Sequence, residues 1–281
     1  MITSVLIPAD LSEESEFVIG FAAGLGALGV RRTVLGHSVE AAGLEGPVIV
    51  AAVDRAREQM QDAAVRLESA DMQVEVRVVT GEPVDALIAL ASETHVDAIV
   101  AGSHGKTALD RLISGSISED LLGFGDRPIL FCRFDLLEAA PDPGDLARDF
   151  GRSIVLLTDF SESATRAFEL VADLPKGVVG TLRLLHVLAS DAAGGESHET
   201  EEAAERRLAE LVAAGEARGL VVQSVVRRGE PGPEALSHLA ESGASGVITG
   251  SRGLGPWTEA VVGSMSLMLL RQAPCPVLVV P

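Results

Sequence analysis

The chain has 281 residues, which at roughly 150 per domain points to two ordinary domains rather than one large one. With 47% hydrophobic and 22% charged residues it can bury well-packed cores, which excludes disorder as its dominant state. Acidic residues outnumber basic ones 41 to 22, for a net charge of -19, and there is one Trp and no Tyr. Such a composition offers neither a basic surface nor stacking platforms, and nucleic acid is excluded as a partner.

Cys132 and Cys275 lie far apart without metal-ligand spacing, so neither a disulfide framework nor a metal site is expected, and a reduced cytoplasm fits. Met1 to Pro8 runs directly into Asp10, Glu13, Glu14 and Glu16, unlike a signal peptide. The longest apolar run, Phe17 to Val30, has 14 residues and includes Gly20, Gly24, Gly26 and Gly29, too short to span a membrane.

Self-similarity organises the chain. SVLIPADLSEES at Ser4 to Ser15 recurs as SIVLLTDFSESA at Ser153 to Ala164, and Gly81-Glu82-Pro83 recurs as Gly229-Glu230-Pro231. The expected division is a first domain at 1–136, a Pro-rich and acidic linker at 137–151 and a second domain at 152–281. Short apolar runs alternate with longer amphipathic ones, which is βα alternation. In chain order the first half has expected strands at Ser4 to Pro8, Thr33 to Val39, Gln73 to Val79, Ala98 to Gly102 and Ile129 to Arg133. The second has them at Ile154 to Thr158, Thr181 to Val187, Val221 to Arg227, Gly246 to Gly250 and Val277 to Val280. Most read as buried on both faces, as parallel strands do, whereas Gln73 to Val79 alternates polar and apolar and is expected at a sheet edge.

Ser12 and Ser161 are expected helix caps, each followed by an acidic first turn. Val53, Ala56, Met60, Ala64 and Leu67 recur at helical spacing, and Glu199 to Arg218 is expected to bury Ala204, Leu208, Leu211 and Gly215. Gly24-Leu25-Gly26-Ala27-Leu28-Gly29 matches a dinucleotide fingerprint but ends a helix instead of opening one, so close helix-to-sheet packing is the preferred reading.

The informative glycines follow each fourth strand. Gly102-Ser103-His104-Gly105 is followed after nine residues by Gly115-Ser116, and Gly250-Ser251-Arg252-Gly253 after nine residues by Gly263-Ser264. The first glycines are expected to adopt positive φ and let backbone approach a ligand. Ser116-Ile117 and Ser264-Met265 are expected to open helices, whose free N–H groups make an anion site without a basic surface.

In this G-x2-G-x9-G-(S/T) pattern, and in Pro8-Ala9-Asp10 and Leu157-Thr158-Asp159 at the first strand ends, the chain resembles the universal stress proteins in their tandem form. The tail Arg271 to Val280 is also similar. The resemblance implies two Rossmann-like doubly wound α/β domains, each a five-stranded parallel sheet of order 3-2-1-4-5 with helices on both faces. It further implies ATP, with or without Mg²⁺, bound at the switch point. By position, Pro8, Ala9 and Asp10 with Ser38, and Thr158 and Asp159 with Val187, would meet adenine or ribose. Ala101, Gly102, His104, Gly105, Gly115, Ser116 and Ile117, and Thr249, Gly250, Arg252, Gly253, Gly263, Ser264 and Met265, would hold ribose and phosphates. The two fifth strands would meet so that one chain mimics a dimer, and two chains would pair as a homodimer. ATP would act as a regulatory ligand read by a signalling partner. The rival readings are a nucleotide-independent adaptor and a slow ATPase.

The first half departs from the pattern. His37-Ser38 follows Gly36 where the second half keeps His186-Val187, which weakens the adenine wall, while Lys106 and Arg111 would offset this by attraction to phosphate. The matched His37 and His186 read as hydrogen-bonded structural residues, and no nucleophile, base and orienter constellation is recognisable.

Overall fold

The computed structural model describes residues 1–103, 121, 126–189, 200–251 and 264–281. The chain divides into two compact units, Met1–Arg148 and Asp149–Pro281.

In the first unit, β1 (Ser4–Pro8) leads to α1 (Glu13–Ala23), a 3-10 turn (Gly24–Leu28) and β2 (Arg32–Val39). Next come α2 (Gly46–Gln59), α3 (Gln61–Glu68), β3 (Gln73–Thr80), α4 (Pro83–Glu93), β4 (Ala98–Ser103) and β5 (Ile129–Arg133), and then α5 (Phe134–Ala139) and α6 (Pro143–Asp149). The second unit repeats the plan with β6 (Ser153–Leu157), α7 (Glu162–Ala172), β7 (Thr181–Ala189), α8 (Glu201–Ala217) and β8 (Val222–Gly229). It continues with α9 (Pro231–Ser242), β9 (Gly246–Gly250), α10 (Ser264–Gln272) and β10 (Val277–Val280).

Within each unit the strands are parallel. The order is β3-β2-β1-β4-β5 in the first and β8-β7-β6-β9-β10 in the second, which is 3-2-1-4-5 in both, as expected. Burial on both faces explains the near-continuous apolar runs: Val5, Leu6 and Ile7 are buried, as are Ile154, Val155 and Leu156. Helices cover both faces of the first sheet. A Cβ on Gly36 would meet Leu87 and Leu90 of α4, while one on Gly102, whose residue faces the opposite way, would meet Val18 of α1. Gly36 therefore makes room for core leucines. The edge reading of Gln73 to Val79 also holds, since β3 borders the sheet and is only half-buried.

Three local readings need correction. The periodic stretch from Val53 to Leu67 forms two helices that meet at Met60, and Val53 is only half-buried. Leu211 is likewise half-buried, although Ala204, Leu208 and Gly215 are buried. The glycine-rich Gly24 to Gly29 does pack closely, but not on the sheet. A Cβ at Gly24 would lie 2.1 Å from the carbonyl oxygen of Gly144, so this glycine admits α6, one of two short helices in a stretch that showed no sustained periodicity. Gly29 ends the 3-10 turn with φ +100°.

The end of the sheet away from the cleft is pinned by Asp97. Its Oδ2 accepts hydrogen bonds from the backbone N–H and hydroxyl of Thr3 (2.8 and 2.9 Å) and of Ser4 (both 2.9 Å), tying the starts of β1 and β4 together. In the second unit Ser245 takes this place, accepting from Ser153 N–H at 2.8 Å. Burial pushes the Asp97 pKa up, but the bonds from Thr3 and Ser4 outweigh it and hold the carboxyl below its ordinary value of 3.8. Asp97→Ala should therefore cost the first unit about 2 kcal/mol near neutral pH, as expected for losing hydrogen bonds to a charged acceptor. Because the folded pKa is depressed, this stabilisation is full above 3.8 and is lost as pH falls through the lowered value. Urea unfolding of both proteins across that range should show the difference shrink.

Candidate functional site

In a 3-2-1-4-5 sheet, the connections after the first and fourth strands run to opposite sides, which leaves a crevice at the carboxyl ends of those strands. The first unit has such a cleft, with a volume of about 300 Å³, at the lower end of the range for small-molecule sites. It is lined by Pro8, Ala9, Asp10, Ser38, Ala101 and Gly102, so the structure brings together the described first-half residues expected to form one site. His37, Glu40, Ser12, Ser15 and Phe134 also line it.

The floor is a loop of unusual backbone geometry. Leu11 has φ +64°, a left-handed conformation that favours glycine, and Phe160 has φ +63° at the matching place in the second unit. An aspartate precedes each and a helix-capping serine follows. Asp10 Oδ1 accepts from Ser12 N–H at 3.0 Å, and Asp159 Oδ1 accepts from Ser161 N–H at 3.0 Å. The serines then cap α1 and α7 by accepting from the N–H groups of Ser15 and Ala164, as expected.

Asp10 Oδ1 also accepts from the hydroxyls of Ser12 (2.5 Å) and Ser15. Burial pushes the Asp10 pKa up, but the bonds from Ser12, Ser15 and two backbone N–H groups outweigh it, and the carboxyl sits below its ordinary value. Such a carboxylate is a poor proton acceptor.

The strand ends are fastened alike in both units. His37 Nδ1 lies 2.6 Å from the carbonyl oxygen of Ala9, and His186 Nδ1 lies 2.8 Å from that of Thr158. The structural reading of both histidines holds. Ser38 Oγ donates to the carbonyl oxygen of Gly81 at 2.8 Å. Gly81 and Gly229 have φ of +142° and +147°, which explains the repeated Gly-Glu-Pro: glycine makes the turn and the proline starts the next helix.

In the second unit Thr158 and Asp159 end β6, Val187 lies half-buried near the end of β7, and Thr249 and Gly250 end β9. Ser264, exposed, and Met265 stand at the start of α10 as described, where a helix was expected. Phe160 stacks on His186 with ring centroids 4.7 Å apart, and the Arg207 guanidinium lies 3.9 Å from the Phe160 centroid. His104, Gly105, Gly115, Ser116, Ile117, Arg252, Gly253 and Gly263 lie outside the described residues.

The positive φ expected of the first glycines is corrected: neither Gly102 nor Gly250 has one. Their lack of a side chain serves close packing. A Cβ at Gly102 would lie 2.2 Å from Phe134 Cζ, and one at Gly250 would lie 2.2 Å from Ser163 Oγ. Sequence reasoning missed Leu11, Phe160, Ser15, Ser163 and Phe134. The repeated Asp-x-Ser was the available signal for the first two. Cys132 and Cys275 are buried and unbridged, and desolvation pushes the Cys275 thiol up to about 12.

The fold defines a tandem pair of doubly wound α/β units, the first with a cleft at its strand ends. The model of the universal stress protein family matches residues 1–133 and again 151–281. The chain belongs to that family. A universal stress protein of Mycolicibacterium smegmatis is 27% identical over 98% of this chain and 96% of its own length. One from Synechocystis is 32% identical over 46% of this chain and 85% of its own length. The crystal structure of a universal stress protein from Archaeoglobus fulgidus superposes with a TM-score of 0.78 at 25% identity, covering 99% of this chain and 97% of that one.

Two opposite responses are expected at the left-handed positions. Leu11, 37% exposed, should become more stable by up to about 1 kcal/mol as Leu11→Gly and less stable by about 1–2 kcal/mol as Leu11→Val. Phe160→Gly should destabilise despite relieving the same strain, because the contacts to His186 and Arg207 are lost. Thermal unfolding of the three variants checks the signs.

Proposed function

We propose that this protein binds an adenine nucleotide, ATP foremost, as a regulatory ligand rather than a substrate. The observation that carries the reading is the placement of the first glycine of each matched motif. In both halves the first glycine stands at the end of the fourth strand, and the Asp-x-Ser loop stands at the end of the neighbouring first strand. That is the crevice where doubly wound sheets hold ligands. The strand ends of the second unit would suit a phosphorylated ligand. The start of α10 would supply backbone N–H groups and the positive end of a helix dipole. An anion can be held this way by a chain of net charge -19.

The described groups favour binding without rapid turnover. Asp10 is committed to three donors on one oxygen and is held ionised at a low pKa, so it is a weak candidate base. Among the described residues no group of three or more His, Cys, Asp or Glu could hold a metal ion, so Mg²⁺ would arrive with the phosphates. No helix among the described residues is long and apolar enough to cross a membrane. The role that fits is a cytoplasmic stress response in which nucleotide occupancy is read by a protein partner.

One observation favours the adaptor reading. Phe134 and Ser163 account for Gly102 and Gly250 by packing alone, without a ligand. Calorimetric titration of the nucleotide-stripped protein with ATP and Mg²⁺ separates the two. Binding should be present in the parent and weakened at least about tenfold by Gly263→Asp, which sets a carboxylate against phosphate in the second motif. Full affinity in the variant would refute the site, and no binding in a folded parent would favour the adaptor.

A further inference from the structure

One core position separates the two units chemically. In the first, a Cβ on Gly36 of β2 would lie 3.3 Å from Leu87 and 3.0 Å from Leu90, two buried leucines of α4. By the repeated Gly-Glu-Pro and the matched histidines, the same three places in the second unit hold Leu185 of β7 and Ala235 and His238 of α9. Glycine and leucine have exchanged for leucine and alanine, which moves apolar volume from helix to strand and keeps the core filled. At the remaining place Leu90 gives way to an imidazole. His238 is only 7% exposed, and its Nε2 is buried without a hydrogen-bond partner. Among the described residues it is the one buried side-chain nitrogen or oxygen so left. Such a place tolerates the ring in one state. Neutral, with its proton on Nδ1, the imidazole leaves a bare lone pair at Nε2; protonated, it would bury a charged N–H that has no acceptor.

The surroundings oppose that charge. α9 packs on β7 and β8 and touches α10. Among the described residues, the charged groups that act on the ring are Arg227 from β8, Arg183 from β7 and Glu241 from α9 itself, while α10 carries Arg271 and no acid. Both strand arginines stay charged at any pH at which the protein folds. The carboxylate is already engaged, since Glu241 pairs with Arg227 and accepts from Ser237 Oγ at 2.7 Å. Burial, followed by Arg227, holds the His238 pKa below its ordinary value of 6.5; Glu241 opposes this without prevailing, and Arg183 adds to it.

We propose that His238 makes the second unit acid-sensitive: protonation of its ring releases α9 from β7 and β8, while the first unit, with Leu90 in that place, stays closed in the same range. Because the folded ring resists the proton, stability is complete above 6.5, declines as pH drops below it, and levels off once pH passes the lowered folded value. The device is independent of the nucleotide-binding reading.

The test is urea unfolding of the full chain at about pH 7.5 and about pH 5.5, on either side of the histidine range, for the parent, His238→Leu and His238→Asn. Unfolding is followed by the fluorescence of Trp257, the single tryptophan and a residue of the second half. Between the two conditions the unfolding equilibrium constant of the parent should rise about tenfold more than that of either variant, as one pH unit below the unfolded value dictates. Leucine restores the first unit's residue. Asparagine keeps a polar group without a titrating proton, and decides the matter if the leucine variant does not fold. Amide exchange, corrected for the intrinsic effect of pH, should quicken along Pro231 to Ser242 in the acidified parent alone, with Pro83 to Glu93 unaltered in all three proteins. An acid response in the parent equal to that of either folded variant, or exchange that quickens as much in α4 as in α9, would overturn the proposal.

Discussion

At the end of the first strand of each unit, one residue is held in a left-handed backbone conformation that costs an ordinary side chain about 1–2 kcal/mol. Leu11 and Phe160 occupy these positions, and neither is glycine. The conformation persists because its neighbours determine it. An aspartate carboxylate takes the N–H two residues on, and the serine there caps the following helix. Each cap is worth about 1 kcal/mol, so strain and compensation are of similar size. This turn leads into α1 and α7, which pack on the sheet, and in the first unit the cleft lies beside it. The histidine bonds to Ala9 and Thr158 then hold the second strand's end against the same loop.

The duplicated scaffold is alike where it holds this turn and differs around the first glycine of each motif. The Asp-x-Ser geometry, the histidine bonds and the positive-φ glycines before α4 and α9 recur in both units. Around the first glycine the surroundings diverge, with Val18 and Phe134 in one unit and Ser163 in the other. At the left-handed position, exposed Leu11 contrasts with Phe160, which is packed between His186 and Arg207.

Much of the architecture could be read from residues alone, because parallel strands buried on both faces leave a strong signal. The runs around Val5 to Ile7 and Ile154 to Leu156, and the alternating Gln73 to Val79, placed strands and sheet edge correctly. The Asp10 and Ser12 pair was visible through repetition. What escaped depended on tertiary contact. The approach of Gly144 to Gly24, and of Phe134 to Gly102, joins residues more than 30 positions apart, and no local pattern encodes it. The left-handed state of Phe160 escaped for a related reason, since its stacking partners lie on β7 and α8.

The central claim is that the first-strand loop and the fourth-strand end of each unit form one ligand site. Amide hydrogen exchange with and without ATP and Mg²⁺ tests it most directly, because backbone protection reports local closure residue by residue. Added nucleotide should slow exchange at Asp159 to Ala164, at Thr249 to Ser251 and at the start of α10, with little change along the edge strand β8. Unchanged exchange at these segments under saturating nucleotide, or protection confined to helix faces remote from the strand ends, would contradict it.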